Sequence, residues 1–342
     1  MTDPVRWGIA GFGWVARDFT LPAILAAGDR LVAICDPDPA ARAHAASSGA
    51  AAYETIEDLA ADPRIEAVYV ATPNHLHRPM VEALARAGRA ILCEKPLAHT
   101  LADAAALVEA VQHSGVLYAT AFDQRHHPAH VAIREAIRDG RLGTITSIRI
   151  VYACWLGPDW AAGDSRDNWR VDAARAGGGA LMDLAPHGLD LADFLLDEPL
   201  TDVVALLQSR VQDYSVDDGA VLVGTTESGV LVQLHVAYNC PETLPRRRLE
   251  VIGTRGQIMA ENTMGQEAGG TLTFIEATTG SSSALPFDAA LSPFLAQIRA
   301  FGRALRGHDR TAFSAARDLH TMHLLDRAYG SAARPETAGS RP

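Results

Sequence analysis

Short apolar runs alternate with amphipathic stretches along the first 121 residues. The apolar runs predict buried strands at 5–10, 31–35, 66–71, 90–93 and 116–122. The stretches between them have helical periodicity and predict helices over 15–27, 39–47, 78–87 and 101–113. Pro22 predicts a kink or break within the first of these helices. Thr100 is the expected N-cap of the last helix, and Gly115 follows its end. This strand–helix alternation predicts a parallel, doubly wound sheet.

The pattern of apolar positions changes after Pro128. One helix runs to about Arg138, and longer runs with frequent alternation then predict strands at 144–152, 203–211, 220–226, 230–238, 247–252 and 271–276. Short turns join several of these strands, which favours antiparallel pairing. A helix after Asp183 interrupts the series, and the chain closes with helices over 292–306 and 313–333. We therefore expect two α/β domains, 1–123 and 124–342, the second built on an open, mainly antiparallel sheet.

Composition narrows the possible classes of partner. Of the 342 residues, 48% are hydrophobic and 21% are charged, which is typical of an ordinary globular protein. The net charge of −11 argues against nucleic acid or an anionic membrane as the main partner. No apolar run approaches the roughly 20 residues of a membrane span, and the N-terminus lacks the pattern of a secretory signal. We expect small molecules, not nucleic acid or membrane, to be the ligands.

Cysteine and histidine usage predicts neither disulfides nor a metal site. No two of the four cysteines have CxxC spacing, which indicates free thiols in a reducing cytosol; they are Cys35, Cys93, Cys154 and Cys240. The histidines cluster only at 126–130, where Asp123 is the one nearby acidic ligand. We expect a cytoplasmic protein without a bound metal.

The turn after the first strand has the form GxGxxA and consists of Gly11, Phe12, Gly13, Trp14, Val15 and Ala16. In such a turn the first glycine allows the tight bend, and the second lets a pyrophosphate approach the backbone. Glycine-rich turns are common, but the strand before this one, the helix after it and Asp36 at the end of the second strand favour a dinucleotide site. Asp36 is placed to accept hydrogen bonds from ribose hydroxyls and to repel a 2′-phosphate. No arginine lies between 37 and 41, so we expect NAD, while Arg42 keeps NADP open.

Residues 72–77, with the sequence TPNHLH, leave the third strand and enter a helix. Loops at the carboxyl ends of parallel strands line the ligand crevice of such sheets. Thr72, Pro73 and Asn74 are therefore candidates for the nicotinamide side of the cofactor site. His77 is a further candidate, although a histidine at this position serves equally often in capping the helix or on the surface.

Two further motifs supply an amine, a carboxylate and an imidazole. EKP, with Glu94 and Lys95, follows the fourth strand, and the glycine run 177–179 precedes Asp183 and His187. Because they are four residues apart, Asp183 and His187 share one face of a helix. Oxidation of a carbinol requires removal of its O–H proton as the C–H hydride leaves, and His187 suits that role. Lys95 can donate to the reacting oxygen, and the roles of Lys95 and His187 could be exchanged.

Each of these residues also has an ordinary structural alternative. Asp183 is a candidate N-cap of its helix, His187 could be a partly buried histidine, and Lys95 could be a surface lysine. Pro186 is expected in the first turn of the same helix, where amides have no intrahelical partner. Their joint occurrence downstream of the dinucleotide turn favours the catalytic interpretation.

The motifs GxGxxA, TPNxxH, EKP and GGGxxxDxxxH resemble, in order and spacing, the Gfo/Idh/MocA family of NAD(P)-dependent sugar and polyol oxidoreductases. The resemblance covers nearly the whole chain. It implies a dinucleotide-binding Rossmann domain, 1–123, and a domain for substrate binding and oligomerisation, 124–342. Dimers and tetramers are frequent in the family, often through the C-terminal sheet.

The resemblance also implies roles for the motif residues. Lys95 would lie beside the substrate and the nicotinamide, with a cis peptide bond before Pro96. Glu94 would be a positioning residue. Asp183 and His187 would bind the substrate and transfer the proton.

Substrate contacts are expected from two segments. Arg125 follows the last strand of the first domain and could hydrogen-bond a hydroxyl or an acidic group. Trp155, Trp169 and Arg170 lie in the stretch 153–176, which is long for a connection and in that respect typical of functional loops. Tryptophan faces suit the C–H faces of a sugar ring, but these rings could equally anchor the loop to the core.

Together these features predict hydride transfer between nicotinamide and a hydroxyl- or keto-bearing carbon of a sugar, cyclic polyol or sugar derivative. Two alternatives stay open. One is an NAD-dependent glycosidase of the same fold, and the other is a non-catalytic sensor that keeps the dinucleotide site. A sensor would be expected to lack the lysine or the histidine, and both Lys95 and His187 are present.

Overall fold

The computed structural model describes residues 3–160 and 168–332, which contain two sheets. The first sheet has the order β3-β2-β1-β4-β5-β6 and consists of β1 (Arg6–Ala10), β2 (Arg30–Cys35), β3 (Ala51–Tyr53), β4 (Ala67–Val70), β5 (Ala90–Cys93) and β6 (Tyr118–Thr120). All of its strand pairs are parallel, which confirms the predicted doubly wound sheet. The sequence pattern missed β3, whose three residues are too short for a periodic signal.

Five α-helices accompany this sheet: α1 (Leu21–Ala26), α2 (Pro39–Ser47), α3 (Ile56–Ala61), α4 (His77–Arg86) and α5 (Leu101–Ser114). As predicted, the Thr100 side chain caps α5, and Gly115 ends it with a φ of 67°. The helix predicted over 15–27 is divided near Pro22 into a π-helical turn, Ala16–Thr20, and α1. Pro22 has no amide hydrogen, so an α-helical hydrogen-bond pattern cannot run unbroken through it.

The second sheet has the order β14-β13-β12-β11-β7-β10-β9-β8. Its strands are β7 (Ile145–Ala153), β8 (Leu200–Gln208), β9 (Gly219–Thr226), β10 (Leu231–Ala237), β11 (Arg247–Gly253), β12 (Gly256–Glu261), β13 (Thr271–Glu276) and β14 (Ser282–Ala284). Every neighbouring pair is antiparallel except β7 with β10, which confirms an open, mainly antiparallel sheet. The pattern missed β12 because only a two-residue turn separates it from β11.

Five more α-helices follow: α6 (Pro128–Arg138), α7 (Ala173–Ala176), α8 (Ala180–Leu196), α9 (Pro293–Leu305) and α10 (Ala315–Ser331). The helix α8 packs closely on the second sheet. A Cβ atom at Gly188 would lie only 2.5 Å from Leu234 of β10, so glycine is needed for this approach. The helix predicted over 313–333 ends at Ser331, and residue 333 lies outside the described residues.

The helix α9 lies late in the chain but packs into the core of the first sheet. Its apolar residues Phe294, Ile298 and Phe301 are buried there, with the Phe301 ring 5.4 Å from the Trp7 ring. Residues from early and late in the chain therefore form the hydrophobic core on this side of the first sheet, which we call the first core. The domain boundary between 123 and 124 stays a prediction, and α9 packs across it.

Three further properties concern the residues that the structure describes. No helix within residues 3–160 and 168–332 is long and apolar enough to cross a bilayer. The four cysteines are all free thiols. In the same described ranges no three His, Cys, Asp or Glu side chains are grouped so that they could hold a metal ion.

Candidate active site

A cleft of about 680 Å³ opens where the carboxyl ends of the first sheet's strands meet α8. Segments after β4, β5 and β6 supply one wall, and α8 supplies another. The polar side chains that line the cleft are Thr72, Asn74, Glu94, Lys95, Asp123, Arg170, Asp183, His187 and Gln266. The aromatic ones are Trp14, Tyr152, Trp169 and Phe294. The predicted amine, carboxylate and imidazole thus line one cleft at the edge where doubly wound sheets bind ligands.

The start of α8 is fixed by the packing of its glycine run. A Cβ atom would lie 2.1 Å from the His99 carbonyl oxygen at Gly177, 2.1 Å from the Tyr329 hydroxyl at Gly178, and 2.0 Å from a backbone oxygen at Gly179. The run is therefore a tight junction between three parts of the chain, where no larger residue has room.

The predicted N-cap of α8 is wrong. The helix begins at Ala180, so Asp183 already lies in its first turn and Pro186 lies inside the helix beyond that turn. The cap comes instead from Asp217, whose carboxylate accepts the amides of Gly179 at 2.9 Å and Leu181 at 2.7 Å. Asp217 satisfies these amides from a distant loop, which leaves the Asp183 carboxylate free for the cleft.

Lys95 and Asp183 form the central ion pair of the cleft. The Lys95 Nζ atom lies 2.5 Å from Asp183 Oδ1 and 3.0 Å from the Asp183 carbonyl oxygen, while the Tyr238 hydroxyl donates to Oδ2 at 2.7 Å. Burial favours the neutral acid, but the charges of Lys95 and Arg170 and these hydrogen bonds hold the pKa of Asp183 far below its ordinary value. The Lys95–Pro96 bond is cis, as the resemblance implied.

His187 faces a different carboxylate. Its Nδ1 atom lies 3.3 Å from Oδ1 of Asp123, and both side chains are buried. The Tyr152 ring packs edge-on at 5.5 Å from the imidazole. Sequence reasoning missed Asp123 as a site residue, although a signal existed: it follows the last strand of the first sheet, at the same edge as Thr72 and Lys95.

Glu94 lies beneath the lysine. Its carboxylate accepts a hydrogen bond from the Tyr69 hydroxyl and one from the Lys95 amide at 3.2 Å. Burial raises the pKa of Glu94, although the Lys95 charge and the Tyr69 hydroxyl act against that shift. These contacts hold the backbone from which the lysine side chain extends.

The glycine turn has the shape that a dinucleotide requires. Gly11 has a φ of 84°, and a Cβ atom there would lie 2.8 Å from the Ala71 backbone, whereas Gly13 faces open space. The Phe12 amide donates to Asp36 at 2.7 Å, which ties the turn to the end of β2. Ala16 is fully buried and supports the turn from below.

Unpartnered polar atoms lie at the same place. Trp14 Nε1 and Thr72 Oγ1 are buried and have no hydrogen-bond partner within the described residues. Both side chains line the cleft beside Val15 and Asn74. Buried polar groups are normally satisfied, so these atoms and the open face of the turn suit a bound dinucleotide.

His77 and Pro73 lie outside the cleft. The His77 ring contacts the carbonyl oxygens of Pro96 at 2.9 Å and Thr72 at 3.0 Å, and the residue is fully buried. Burial lowers its pKa to about 4. His77 joins the two loops that carry Thr72 and Lys95, so the structure gives it a positioning place in the core and not a contact surface for a cofactor. Pro73 begins the short helical turn Asn74–Leu76.

The proposed substrate contacts separate into two groups. Trp169 and Arg170 line the cleft, with the Arg170 guanidinium 4.5 Å from the Trp169 ring and 5.1 Å from the Trp160 ring. Trp155 is 43% exposed and pairs with Asn239, away from the cleft. Residues 161–167 of the stretch 153–176 lie outside the described residues.

Arg125 does not reach the cleft either. Its Nε atom lies 2.7 Å from each carboxylate oxygen of Asp190, and both residues are buried. A buried charge must be paired, and this pair occupies the guanidinium. We therefore assign Arg125 and Asp190 to the support of α8 and not to substrate binding.

Comparisons with known proteins agree with this architecture. Residues 5–122 match a family model described as an oxidoreductase family with an NAD-binding Rossmann fold, and residues 130–259 match one described as a GFO/IDH/MocA C-terminal domain. The chain is similar to a 1,5-anhydro-D-fructose reductase from Ensifer adhaerens, with 35% identity over 306 residues and 89% of each chain covered. An inositol 2-dehydrogenase from Rhizobium meliloti is 30% identical over 75% of this chain and 76% of its own.

A solved structure shows the same fold over nearly the whole chain. It is a crystal structure of an aldose-aldose oxidoreductase from Caulobacter crescentus, complexed with glycerol. Its TM-score is 0.85 at 25% identity, and the match covers 96% of this chain and 97% of that one.

Proposed function

Since the chain belongs to the GFO/IDH/MocA family of NAD-binding oxidoreductases, we propose that it transfers a hydride between nicotinamide and a hydroxyl- or keto-bearing carbon of a sugar, cyclic polyol or sugar derivative. The observation that carries this proposal is the meeting of Lys95, Asp183 and His187 in one cleft beside the glycine turn. The relatives support the substrate class, because they are named as a reductase of an anhydro sugar and a dehydrogenase of a polyol.

The residues of the cleft divide the chemistry between them. Bound NAD(P) supplies the hydride acceptor or donor. Lys95 donates a hydrogen bond from Nζ to the reacting oxygen and stabilises its negative charge as the O–H proton departs. In the oxidative direction His187 accepts that proton at Nε2, the ring nitrogen remote from Asp123, and in the reductive direction it returns the proton.

The contacts of the lysine support His187 as the base, of the two candidates. Its Nζ atom donates to a carboxylate oxygen and to the carbonyl oxygen of Asp183. An ammonium can donate but has no lone pair with which to accept a proton. We therefore assign proton acceptance to His187 and electrostatic stabilisation to Lys95, with Asp183 holding the lysine in place.

A panel of sugars and polyols, each offered with NAD and with NADP and followed at the nicotinamide absorbance, tests the proposed function. We expect one or more members to give a carbonyl product in stoichiometric amounts with the reduced cofactor. Cleavage of a glycosidic bond without net reduction would identify the glycosidase alternative. Binding of the dinucleotide without turnover of any member would favour the sensor. Lys95→Ala protein purified in parallel excludes activity from a contaminating enzyme.

We also propose that the chain forms a homodimer or homotetramer through the outer face of the second sheet. This outer face, as defined here, comprises five exposed apolar side chains on β8, β9 and β10: Val204, Leu206, Val221, Val223 and Leu231. Val204 lies opposite Val223, and Leu206 lies opposite Val221. Exposed apolar surface of this kind marks interaction sites, and a second copy offers an identical apolar face.

A cytoplasmic location is proposed on the basis of the thiols. All four cysteines are free, and Cys35 and Cys93 are buried in the core of the first sheet. Free cysteines without disulfide partners suit a reducing compartment.

A further inference from the structure

Asp123 and His187 form a buried pair at the base of the cleft. The Asp123 Oδ1 atom and the His187 Nδ1 atom are 3.3 Å apart, and neither atom makes a hydrogen bond with any group of the described residues. Both side chains line the cleft. Each atom is therefore the other's available partner.

The carboxylate that precedes His187 by one helical turn is already occupied. Asp183 directs one oxygen to Lys95 and the other to the Tyr238 hydroxyl. Asp183 and His187 share a helix face, but their polar contacts go to different neighbours. The imidazole must therefore be oriented by a group outside α8.

Asp123 is itself held rigidly. Its Oδ2 atom accepts a hydrogen bond from Gln124 Nε2 at 2.8 Å, and the Gln124 amide is fixed by the Gly265 carbonyl at 2.9 Å. In the amide orientation that satisfies its donors and acceptors, the side-chain oxygen of Gln297, on α9, accepts from the backbone amides of Asp123 and Phe122 at 3.2 Å each. Gln124 thus holds the Asp123 carboxylate, and Gln297 holds the backbone that carries it.

The charge state of Asp123 suits this arrangement. Burial alone would raise the pKa of the carboxyl, but the His187 imidazole, the Gln124 amide and the Lys95 charge together hold it below its ordinary value. The group stays ionised at neutral pH. An ionised carboxylate accepts hydrogen bonds only, so the imidazole nitrogen facing it carries the proton.

We propose that Asp123 is the positioning residue for His187, fixing the tautomer with the proton on Nδ1 so that Nε2 is free to accept the substrate proton. This inference rests on the proposed function and assigns the orientation of its base. In the oxidative direction the hydroxyl proton moves to Nε2, and the hydride leaves carbon with its two electrons for oxidised nicotinamide. The oxygen becomes a carbonyl, His187 becomes an imidazolium, and Asp123 remains a carboxylate that stabilises the new charge.

The other groups around the imidazole enter the pH dependence. Tyr152 on β7 packs against the ring, Glu94 after β5 lies within electrostatic range, and the Lys95–Asp183 pair lies across the cleft. Burial is the main cause that raises the pKa of Glu94 and of Tyr152, and the Asp123 charge adds to it, so substitution of Asp123 acts on these groups as well. The pH profile of an Asp123 variant is therefore interpreted together with the tautomer of His187, which reports on the Asp123–His187 contact directly.

The first test compares Asp123→Asn with wild type in the pH profile of kcat/KM for oxidation. Asparagine keeps the size but removes the charge. We expect a fall on the order of 10²-fold in kcat, unchanged NAD affinity, and a rising limb displaced to lower pH, since the imidazolium loses its anionic neighbour. Asp318→Asn is the matched control, because Asp318 is an equally buried carboxylate that bonds the Thr120 amide outside the cleft. The proposal would be overturned if Asp123→Asn had the wild-type kcat and the rising limb of its pH profile lay at the wild-type pH.

The second test measures the tautomer in wild-type protein, and a variant serves only to assign the His187 signal. Nitrogen NMR of protein labelled in its histidines, with the His187 signal identified by its loss in His187→Gln, gives the tautomer directly. We expect neutral His187 to carry its proton on Nδ1, and a proton on Nε2 would contradict the inference. Wild-type protein that turns over no sugar or polyol would refute the proposed function and not the tautomer. The tautomer is measured without substrate, so the two failures can be told apart.

Discussion

Lys95 is the only lysine in a sequence that contains 30 lysine and arginine residues. Arginine supplies the chain's other cationic side chains, including the buried pair with Asp190. The compact ammonium directs its donors to Asp183 and to the cleft, where the flat guanidinium of arginine would not match the same geometry. At the residue scale, the choice of lysine here therefore reflects the chemistry of the site.

Asp36 is the residue on which the predicted cofactor preference rests. Its carboxylate accepts the amides of Phe12 at 2.7 Å and Asp38 at 2.8 Å. Arg42, the residue that could hold a 2′-phosphate, donates to the carbonyl oxygens of Asp36 and Pro37 at 2.8 Å each. The charge that repels the phosphate is present, and the arginine is engaged by the backbone.

We predict that NAD binds more tightly than NADP and that Asp36→Asn narrows the difference. Asparagine keeps an oxygen for the Phe12 amide but loses the acceptor for the Asp38 amide, so the variant removes the charge and disturbs the turn less than Asp36→Ala does. Asp36→Ala should narrow the difference and also weaken both cofactors. Paired fluorescence titrations give the dissociation constants. Tighter binding of NADP by wild type would refute the assignment.

Motifs in the sequence identified Lys95, Asp183 and His187, but they could not identify Asp123. Residues Asp123–His126 form a short helical turn, so neighbouring side chains point in different directions. Arg125 turns to Asp190 while Asp123 turns to His187. Which member of such a turn faces the cleft depends on partners that are more than 60 residues away.

At the scale of elements, the stretch around α7 forms the mouth of the cleft. Trp160 packs edge-on against Trp14 at 6.1 Å, and Arg170 lies over the rings of Trp160 and Trp169. The glycine run that follows is tightly packed, so it does not provide a hinge for this stretch. The contacts indicate a wall that shapes the substrate site.

We predict that Trp169→Ala raises the KM for substrate by about 10-fold or more with little change in NAD affinity, since an aromatic face buried against substrate is worth at least 1–2 kcal/mol, as a rough estimate. Trp155→Ala is the matched control, because that ring is exposed and away from the cleft. Steady-state kinetics on both variants check the prediction. If both substitutions changed the KM for substrate equally, the two rings would stabilise the fold and not contact the substrate.

Local signals predicted some element boundaries and not others. The ends of α5 follow from Thr100 and Gly115, which lie next to the helix in sequence. The start of α8 depends on Asp217, 38 residues from Gly179, so no local pattern reveals it. A helix cap that comes from a distant residue cannot be predicted from the residues next to the helix in sequence.

At the scale of the whole molecule, the sequence pattern predicts the two kinds of sheet but not how the chain connects them. Alternating apolar patterns predicted a parallel and a mainly antiparallel sheet. They gave neither the parallel pairing of β7 with β10 nor the return of α9 to the first core. Both depend on contacts between segments far apart in sequence.

The outer face of the second sheet carries the prediction at this scale. We expect wild-type protein to sediment as a dimer or tetramer at micromolar concentration, and Leu206→Glu to shift it towards monomer, since buried charge without a partner is costly. Leu25→Glu is the matched control, because Leu25 is a similarly exposed leucine on α1. Sedimentation velocity decides the matter. A monomeric wild type would rule out the proposed interface.

The central claim is that His187 transfers the proton and Lys95 stabilises the reacting oxygen during hydride transfer. The most direct measurement is the turnover number of Lys95→Ala and His187→Ala on the best substrate of the panel, with NAD affinity measured on the same samples. We predict that each substitution lowers kcat by about 10²–10⁴-fold, the usual effect of a positioned acid–base or electrostatic group. NAD affinity should stay within about threefold of wild type, since both side chains face the substrate and not the glycine turn. Near-normal turnover in Lys95→Ala would contradict the account.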